Sequence, residues 1–154
     1  MKTLFYITIF IISFQISAQD SFTVADARRV IDIFFEGFHE GDTIKMKSVM
    51  VENLPTQTVF ATKEGKNIVR DSSGDDFIKA IGNRPPDQKW EEKLLDYKIQ
   101  IDGNLAHVWT PYEFWFNGEF RHCGANAFTL AKTDNGWKIV HLIDSRRVSS
   151  CEEE

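Results

Sequence analysis

Apolar residues recur every three or four positions in the first half of the chain and every second position in the second half. Val24, Ala27, Ile31, Phe34, Phe35 and Phe38 share one helical face. Thr23 with Asp26 three places on forms a capping-box pattern at the start of that helix, and Gly41 ends it. Asp42 then caps a short second helix carrying Ile44, Val49 and Met50. Segments 57–62 and 67–70 read as two short strands around the Glu64-Gly65 turn. Ser73 caps a third helix, with Asp75 and Asp76 at its positive end and Phe77, Ile78 and Ile81 on its apolar side. Gly82 stops it, and Pro85-Pro86 prevents resumption.

Beyond Trp90 the period changes to two: Leu95, Tyr97, Ile99 and Ile101 alternate with Asp96, Lys98 and Gln100. Asp102-Gly103, Asn117-Gly118 and Asn135-Gly136 are pairs that favour tight hairpin turns, because both central residues accept positive φ. They divide the second half into four antiparallel strands, 90–101, 104–117, 119–134 and 137–148. Counting outward from two-residue turns predicts a register. It pairs Tyr97 with Val108, Val108 with Ala127, Tyr112 with Cys123, and Ala127 with Asp144. One face then carries Tyr97, Ile99, Ala106, Val108, Thr110, Tyr112, Phe114, Cys123, Ala125, Ala127, Thr129, Val140, Leu142, Asp144 and Arg146. The small residues of its middle strand either admit a helix closely or leave a hollow.

The opposite face carries His107, Trp109, Glu113, Trp115, His122, Asn126, Phe128, Leu130, Trp137, Ile139, His141 and Ile143. Three helices cover one side of such a sheet, and a second copy of the chain is the simplest cover for the other. The expected homodimer interface contains Trp109, Trp115, Phe128, Ile139 and Ile143. A bulge at Pro111 would exchange the faces along part of its strand.

Composition sharpens this picture. The 154 residues suit one domain, and 42% hydrophobic content with 13% aromatics supports a packed core. The net charge of −5 argues against a dedicated nucleic-acid binder, and Arg146-Arg147 is too short for a phosphate-binding patch. Residues 1–19 read as a secretory signal: Lys2, an apolar run, then Ser17-Ala18-Gln19. The run is too short to span a bilayer, which takes roughly 20 apolar residues. Cleavage near Ala18-Gln19 would export a domain of residues 20–148 with an acidic tail at 149–154, periplasmic or secreted and free of the membrane. Cys123 and Cys151 either form a bridge in that compartment or remain a buried thiol and a tail thiol. Neither a CxxC pair nor a His cluster accompanies them, so no metal is expected. No glycine-rich phosphate loop is present, so no cofactor is expected either.

Two helices, two short strands, a helix and four long strands resemble the nuclear transport factor 2-like superfamily, with its SnoaL-like, ketosteroid isomerase-like and lumazine-binding-like branches. Val108-Trp109-Thr110-Pro111-Tyr112, His122-Cys123-Gly124, Gly136-Trp137-Lys138-Ile139 and Asp144-Ser145-Arg146-Arg147 are similar to segments of its exported bacterial members. The resemblance implies an α+β fold shaped as a cone, with N-terminal helices packed on a curved, mostly antiparallel sheet. It says little of function, because this fold hosts enzymes, ligand binders and dimerisation modules.

The predicted register places Asp144 beneath the helices. A carboxylate in an apolar hollow is a candidate general base, and the family resemblance implies the same role with a tyrosine hydroxyl beside it. Arg146, two residues on and on the same face, would instead hold Asp144 ionised in a structural or ligand-orienting pair. No matching second inward acid is apparent. Cys123 and His122 point to opposite faces, so they do not make a nucleophile and base; His122 faces Glu113 instead. His107 and His141 on the outer face lack a third ligand at metal spacing. The leading expectation is a pocket for a small apolar ligand, with Tyr97, Thr110, Tyr112, Asp144 and Arg146 at its polar end and Phe34, Phe38 and Phe114 as its wall. The alternatives are an isomerase, dehydratase or cyclase using Asp144, and a docking module whose cone is filled.

Overall fold

A computed structural model describes residues 21–148 and Cys151. The expected secretory signal lies outside the described residues, as does the acidic tail apart from Cys151. The elements are α1 (Val24–Glu40), α2 (Thr43–Ser48), β1 (Pro55–Ala61), β2 (Asn67–Ser73), α3 (Gly74–Gly82), β3 (Trp90–Leu94), β4 (Lys98–Asp102), β5 (Leu105–Phe116), β6 (Glu119–Thr133) and β7 (Gly136–Arg147).

The helix signals act as expected. Thr23 and Asp26 form the reciprocal capping box, and Gly41 closes α1 in the left-handed conformation at φ 75°. Asp42 accepts from two backbone N–H groups of α2, and Ser73 accepts from Asp76 N at the start of α3. The buried stripe of α1 runs through Ala27, Val30, Ile31, Phe34, Phe35 and Phe38, while Val24 is exposed. In α2 it is Met46 that enters the core, and Ile44 points to solvent.

Seven strands form one curved sheet, ordered β2-β1-β7-β6-β5-β3, with β4 also pairing with β5. The pairings are antiparallel except β1 on β7, a parallel contact between segments far apart in sequence. The expected single strand 90–101 is broken at Leu95-Asp96-Tyr97 into β3 and β4.

Only one of the three corners is the turn its dipeptide suggested. Asn117 and Gly118 both have positive φ, 51° and 79°, and Phe116 pairs with Glu119 across them. At the first corner Gly103 alone is left-handed, and the loop is Gly103-Asn104, because Asp102 pairs with Leu105. At the third, Asp134-Asn135 makes the turn, and Gly136 follows at φ 86°, the geometry of a type I turn closed by a glycine bulge. Two further irregularities lie within the sheet, at Phe114/Trp115 between β5 and β6 and at Thr129/Leu130 between β6 and β7.

Together these features reverse β6. Val108 pairs with Phe128, Thr110 with Asn126 and Tyr112 with Gly124. Phe128 and Leu130 are fully buried, Asn126 is buried beside them, and Ala125 and Ala127 lie on the opposite side. The inward faces of β5 and of the second half of β7 stand as expected, with Leu142, Asp144 and Arg146 aligned opposite Phe128, Asn126 and Gly124. The expected row of small residues beneath the helices is therefore replaced by Asn126, Phe128 and Leu130. Phe128 meets Phe34 and Phe35 edge-on, at centroid distances of 5.6 and 6.0 Å. Phe128 and Ile139, expected in an outer interface, belong to the core.

The two cysteines, left open by the sequence, are joined, with Cα atoms 5.7 Å apart. A bridge across 28 positions stabilises the fold by about 3–4 kcal/mol in the chain-entropy account. It fastens the chain beyond β7 back onto the outer side of β6.

The reversed face of β6 sets a clear expectation for chemical denaturation. Phe128→Ala should lower the unfolding free energy by about 3–5 kcal/mol, as for a fully buried aromatic ring. Trp109→Ala, at a residue 39% exposed, should cost under about 1 kcal/mol. Equal costs would show that the two rings share one environment.

Candidate functional site

The register lines side chains in rows across the inner face. One row runs Arg70, Thr58, Asp144, Asn126, Thr110 over β2, β1, β7, β6 and β5. The row on one side is Ser72, Thr56, Leu142, Phe128, Val108, which turns from polar at the β2 edge to apolar under α1. The row on the other side holds Phe60, Arg146, Gly124 and Tyr112. Five strands thus bring one line of polar groups beneath the helices.

Asp144 is the hub. Its Oδ1 accepts from the Thr58 hydroxyl at 2.6 Å, and its Oδ2 accepts from Arg146 Nε at 2.7 Å and from the Tyr112 hydroxyl at 3.2 Å. The Asp144 side chain is 12% exposed and that of Arg146 51%, so the pair spans from interior to surface. Gly124, opposite Arg146, has no room for a side chain: a Cβ there would lie 1.8 Å from the carbonyl oxygen of Ser145 and 3.0 Å from the Tyr112 ring. That close approach lets Tyr112 pack flat against β6 and β7 while reaching Asp144.

A second acid stands beside it. Glu92 of β3 accepts a hydrogen bond from Asn126 Nδ2 at 3.0 Å. Burial raises its carboxyl to about 7; the Asn126 bond opposes this and the charge of Asp144 adds to it. Glu92 therefore holds its proton to higher pH than an ordinary carboxyl, and it is the inward acid that the sequence reading lacked. Its signal was present: Trp90, Glu92 and Leu94 occupy alternate positions of β3. The break before β4 hid it, because the alternation read from Leu95 to Ile101 favours odd positions and does not carry back into β3, where the even positions turn inward.

Between this polar row, α1 and α3 lies a cavity of about 260 Å³. Phe34, Phe35, Phe77 and Leu142 supply its apolar wall, and Glu92, Asn126, Asp144, Arg146, Thr56 and Thr58 its polar side. The cone is not filled by its aromatic rings. Phe38 packs behind Phe77, with centroids 6.0 Å apart, and does not reach the cavity.

The structure brings together only part of the expected set. Asp144 and Arg146 line the cavity, and Tyr112 supports Asp144 from behind. Thr110 is buried in the same row but does not line the cavity, and its hydroxyl has no partner among the described residues. Phe114 lies against His122, with centroids 4.9 Å apart and the rings tilted by 31°, and does not line the cavity. Tyr97 lies elsewhere: its hydroxyl donates to Asp32 of α1 at 2.6 Å, and Arg28 covers its ring at 4.4 Å. The break between β3 and β4 explains this, since Tyr97 sits at its end rather than within a strand. Burial raises the Tyr97 and Tyr112 hydroxyls above the ordinary tyrosine value, so both remain donors.

His122 is the other correction. The shift at Phe114/Trp115 sets it opposite Phe114 rather than Glu113, whose carboxylate instead accepts from Trp115 Nε1 at 3.0 Å. Burial, helped by the charge of Arg146, holds the His122 imidazole below its ordinary value. Among the described residues no cluster of three or more His, Cys, Asp or Glu could hold a metal ion.

Solved structures similar to this chain share its architecture. A dehydratase candidate of the NTF2-like family from Streptomyces avermitilis superposes with a TM-score of 0.63 at 14% identity, over 82% of this chain and 96% of the other. An NTF2-like superfamily protein from Salmonella enterica gives 0.62 at 19% identity, over 82% and 92%. An NTF2-like protein with a cystatin-like fold from Novosphingobium aromaticivorans gives 0.62 at 17%, over 82% of each chain. At these identities the likeness is one of fold. No curated protein matches the chain. The family model of the SnoaL-like domain matches residues 27–148, the span from α1 to the end of β7. The chain therefore belongs to the SnoaL-like domain family, and its fold is that of the NTF2-like structures.

Proposed function

We propose that this domain binds a small organic molecule in the cavity between α1, α3 and the sheet. The observation that carries this reading is the open 260 Å³ cavity, with phenylalanine rings on one side and paired polar groups on the other. An apolar body would rest on Phe34, Phe35 and Phe77. Polar atoms of the ligand would meet the N–H groups of Arg146 and the carboxyl of Glu92, which donates when protonated and accepts when ionised. Export after removal of residues 1–19 belongs to the same reading.

Native mass spectrometry of the protein purified from its own host tests it. The parent should carry a stoichiometric small molecule, and Ala80→Phe, at an exposed residue of α3 on the cavity wall, should lose it while folding normally. A parent without bound mass, or a variant that retains it, rejects the reading.

A second reading, proton-transfer catalysis, is favoured by one observation: two inward carboxyls in unlike surroundings. Asp144 has its oxygens occupied by Thr58, Tyr112 and Arg146, whereas Glu92 titrates near 7 with Asn126 as its bonded partner. Groups so separated can divide acid and base roles. In such a reaction Glu92, rather than Asp144, would exchange the proton, and Asp144 would orient Arg146 and Tyr112. The similar fold of the dehydratase candidate is compatible with this.

Glu92 leaves a signature in stability whichever reading holds. Its carboxyl keeps a proton up to about 7 when folded and titrates near 4.5 when unfolded, so the folded state binds more protons between those values. Stability should then fall as pH rises through that window. Glu92→Gln should match the parent below pH 4.5 and exceed it above pH 7 in denaturant melts, while a constant difference would exclude the buried acid.

We also propose a homodimer through the outer sheet face, now with Trp109, Trp115 and Ile143 rather than the buried Phe128 and Ile139. In support, Trp109 is 39% exposed on the side away from the helices. Trp109→Glu should shift sedimentation from dimer to monomer; monomers in both proteins would refute the interface.

A further inference from the structure

We infer that the molecule held in the cavity bears a carboxylate, and that this group lies outside the cavity, in a neighbouring cationic groove. The inference rests on the small-molecule reading above and names the class of ligand. The groove, about 750 Å³, is lined by Arg70, Arg146, Arg147 and His122, together with Thr58 and Ser72. Thr58, Ser72 and Arg146 line the inner cavity as well, so the two spaces adjoin along these residues.

The charges are sorted across that boundary. Inside stand Asp76, Glu92 and Asp144, and outside no carboxylate among the described residues lines the groove, although the whole chain has a net charge of −5. Arg146 satisfies Asp144 through Nε, and its terminal nitrogens have no hydrogen bond within the described residues. Neither Arg70 nor Arg147 forms an ion pair there. Arg70 is laid across the Phe60 ring at 4.7 Å, which keeps its guanidinium beside the groove. His122, neutral near pH 7, adds a ring donor without adding charge.

Guanidinium groups present parallel N–H pairs that match a carboxylate. The acids of the inner cavity repel an anion, so a ligand with one charged end and an apolar body has one favourable direction of entry. Its body lies against Phe34 and Phe77, and its carboxylate remains between Arg70 and the terminal nitrogens of Arg146.

The test uses 3-phenylpropionate and its neutral amide as probes, followed by backbone amide shifts in the folded full domain. The acid should perturb residues of both spaces and bind roughly tenfold more tightly than the amide, the order expected of a charge-assisted contact. Arg70→Gln, at an exposed position outside the inner cavity, should bring the acid most of the way down to the affinity of the amide. Equal affinities for acid and amide in the parent, or an Arg70→Gln variant that binds the acid like the parent, overturn the carboxylate inference while leaving the cavity reading intact. If neither probe perturbs the residues of the inner cavity, the carboxylate inference fails for this class of ligand. The retained-mass experiment then judges the cavity by itself.

Discussion

The parity of β6 is the constraint on which the molecule depends. A strand shows alternate residues to opposite sides, so one added residue exchanges everything it presents. The extra residue Arg121 at the Phe114/Trp115 irregularity does this, and Val140, the extra residue of β7 at Thr129/Leu130, puts Ile139 and Leu142 on the same inner face. Phe128 is thereby delivered to Phe34 and Phe35, and Asn126 to Glu92. Without that exchange the inner face would carry alanines where a large ring now anchors α1, and Glu92 would lack its hydrogen-bonded partner.

The same alignment manages a costly arrangement of charge. Two carboxyls beneath the helices repel each other and lose hydration, and an unpartnered charge there would be destabilising. Asp144 is held by three donors, one of them the guanidinium of Arg146, and Glu92 answers by keeping its proton longer. The site combines one carboxyl held by three hydrogen bonds with one whose proton burial retains, both beside the phenylalanine rings of the cavity. The close packing at Gly124 keeps the Tyr112 hydroxyl within reach of Asp144, so backbone geometry and electrostatics meet at the same place.

The fold itself is shared widely among proteins with little sequence in common, as the similar structures at 14–19% identity show. Such a cone is therefore a frame, and what distinguishes this chain is the set of groups along its polar row. The cationic groove and the acids of the inner cavity are drawn from β1, β2, α3, β3, β6 and β7.

Local chemistry was legible in the amino-acid sequence: the caps at Thr23, Asp42 and Ser73, the stop at Gly41, the helical stripe of α1, and the inward faces of β5 and of Asp144 with Arg146. These depend on neighbours within a few residues, where period and capping act directly. The chain order of helices and strands, with a few short segments, was enough to point to the fold and to the SnoaL-like family. Tertiary structure alone decided the parity of β6, the parallel contact of β1 with β7, the bridge between Cys123 and Cys151, the inward turn of Glu92 and the departure of Tyr97 to Asp32. Each of these depends on a bulge, a strand break or a partner distant in sequence. A dipeptide such as Asn135-Gly136 admits several corners, and only the packing of Phe128 and Leu130 under α1 selects among them.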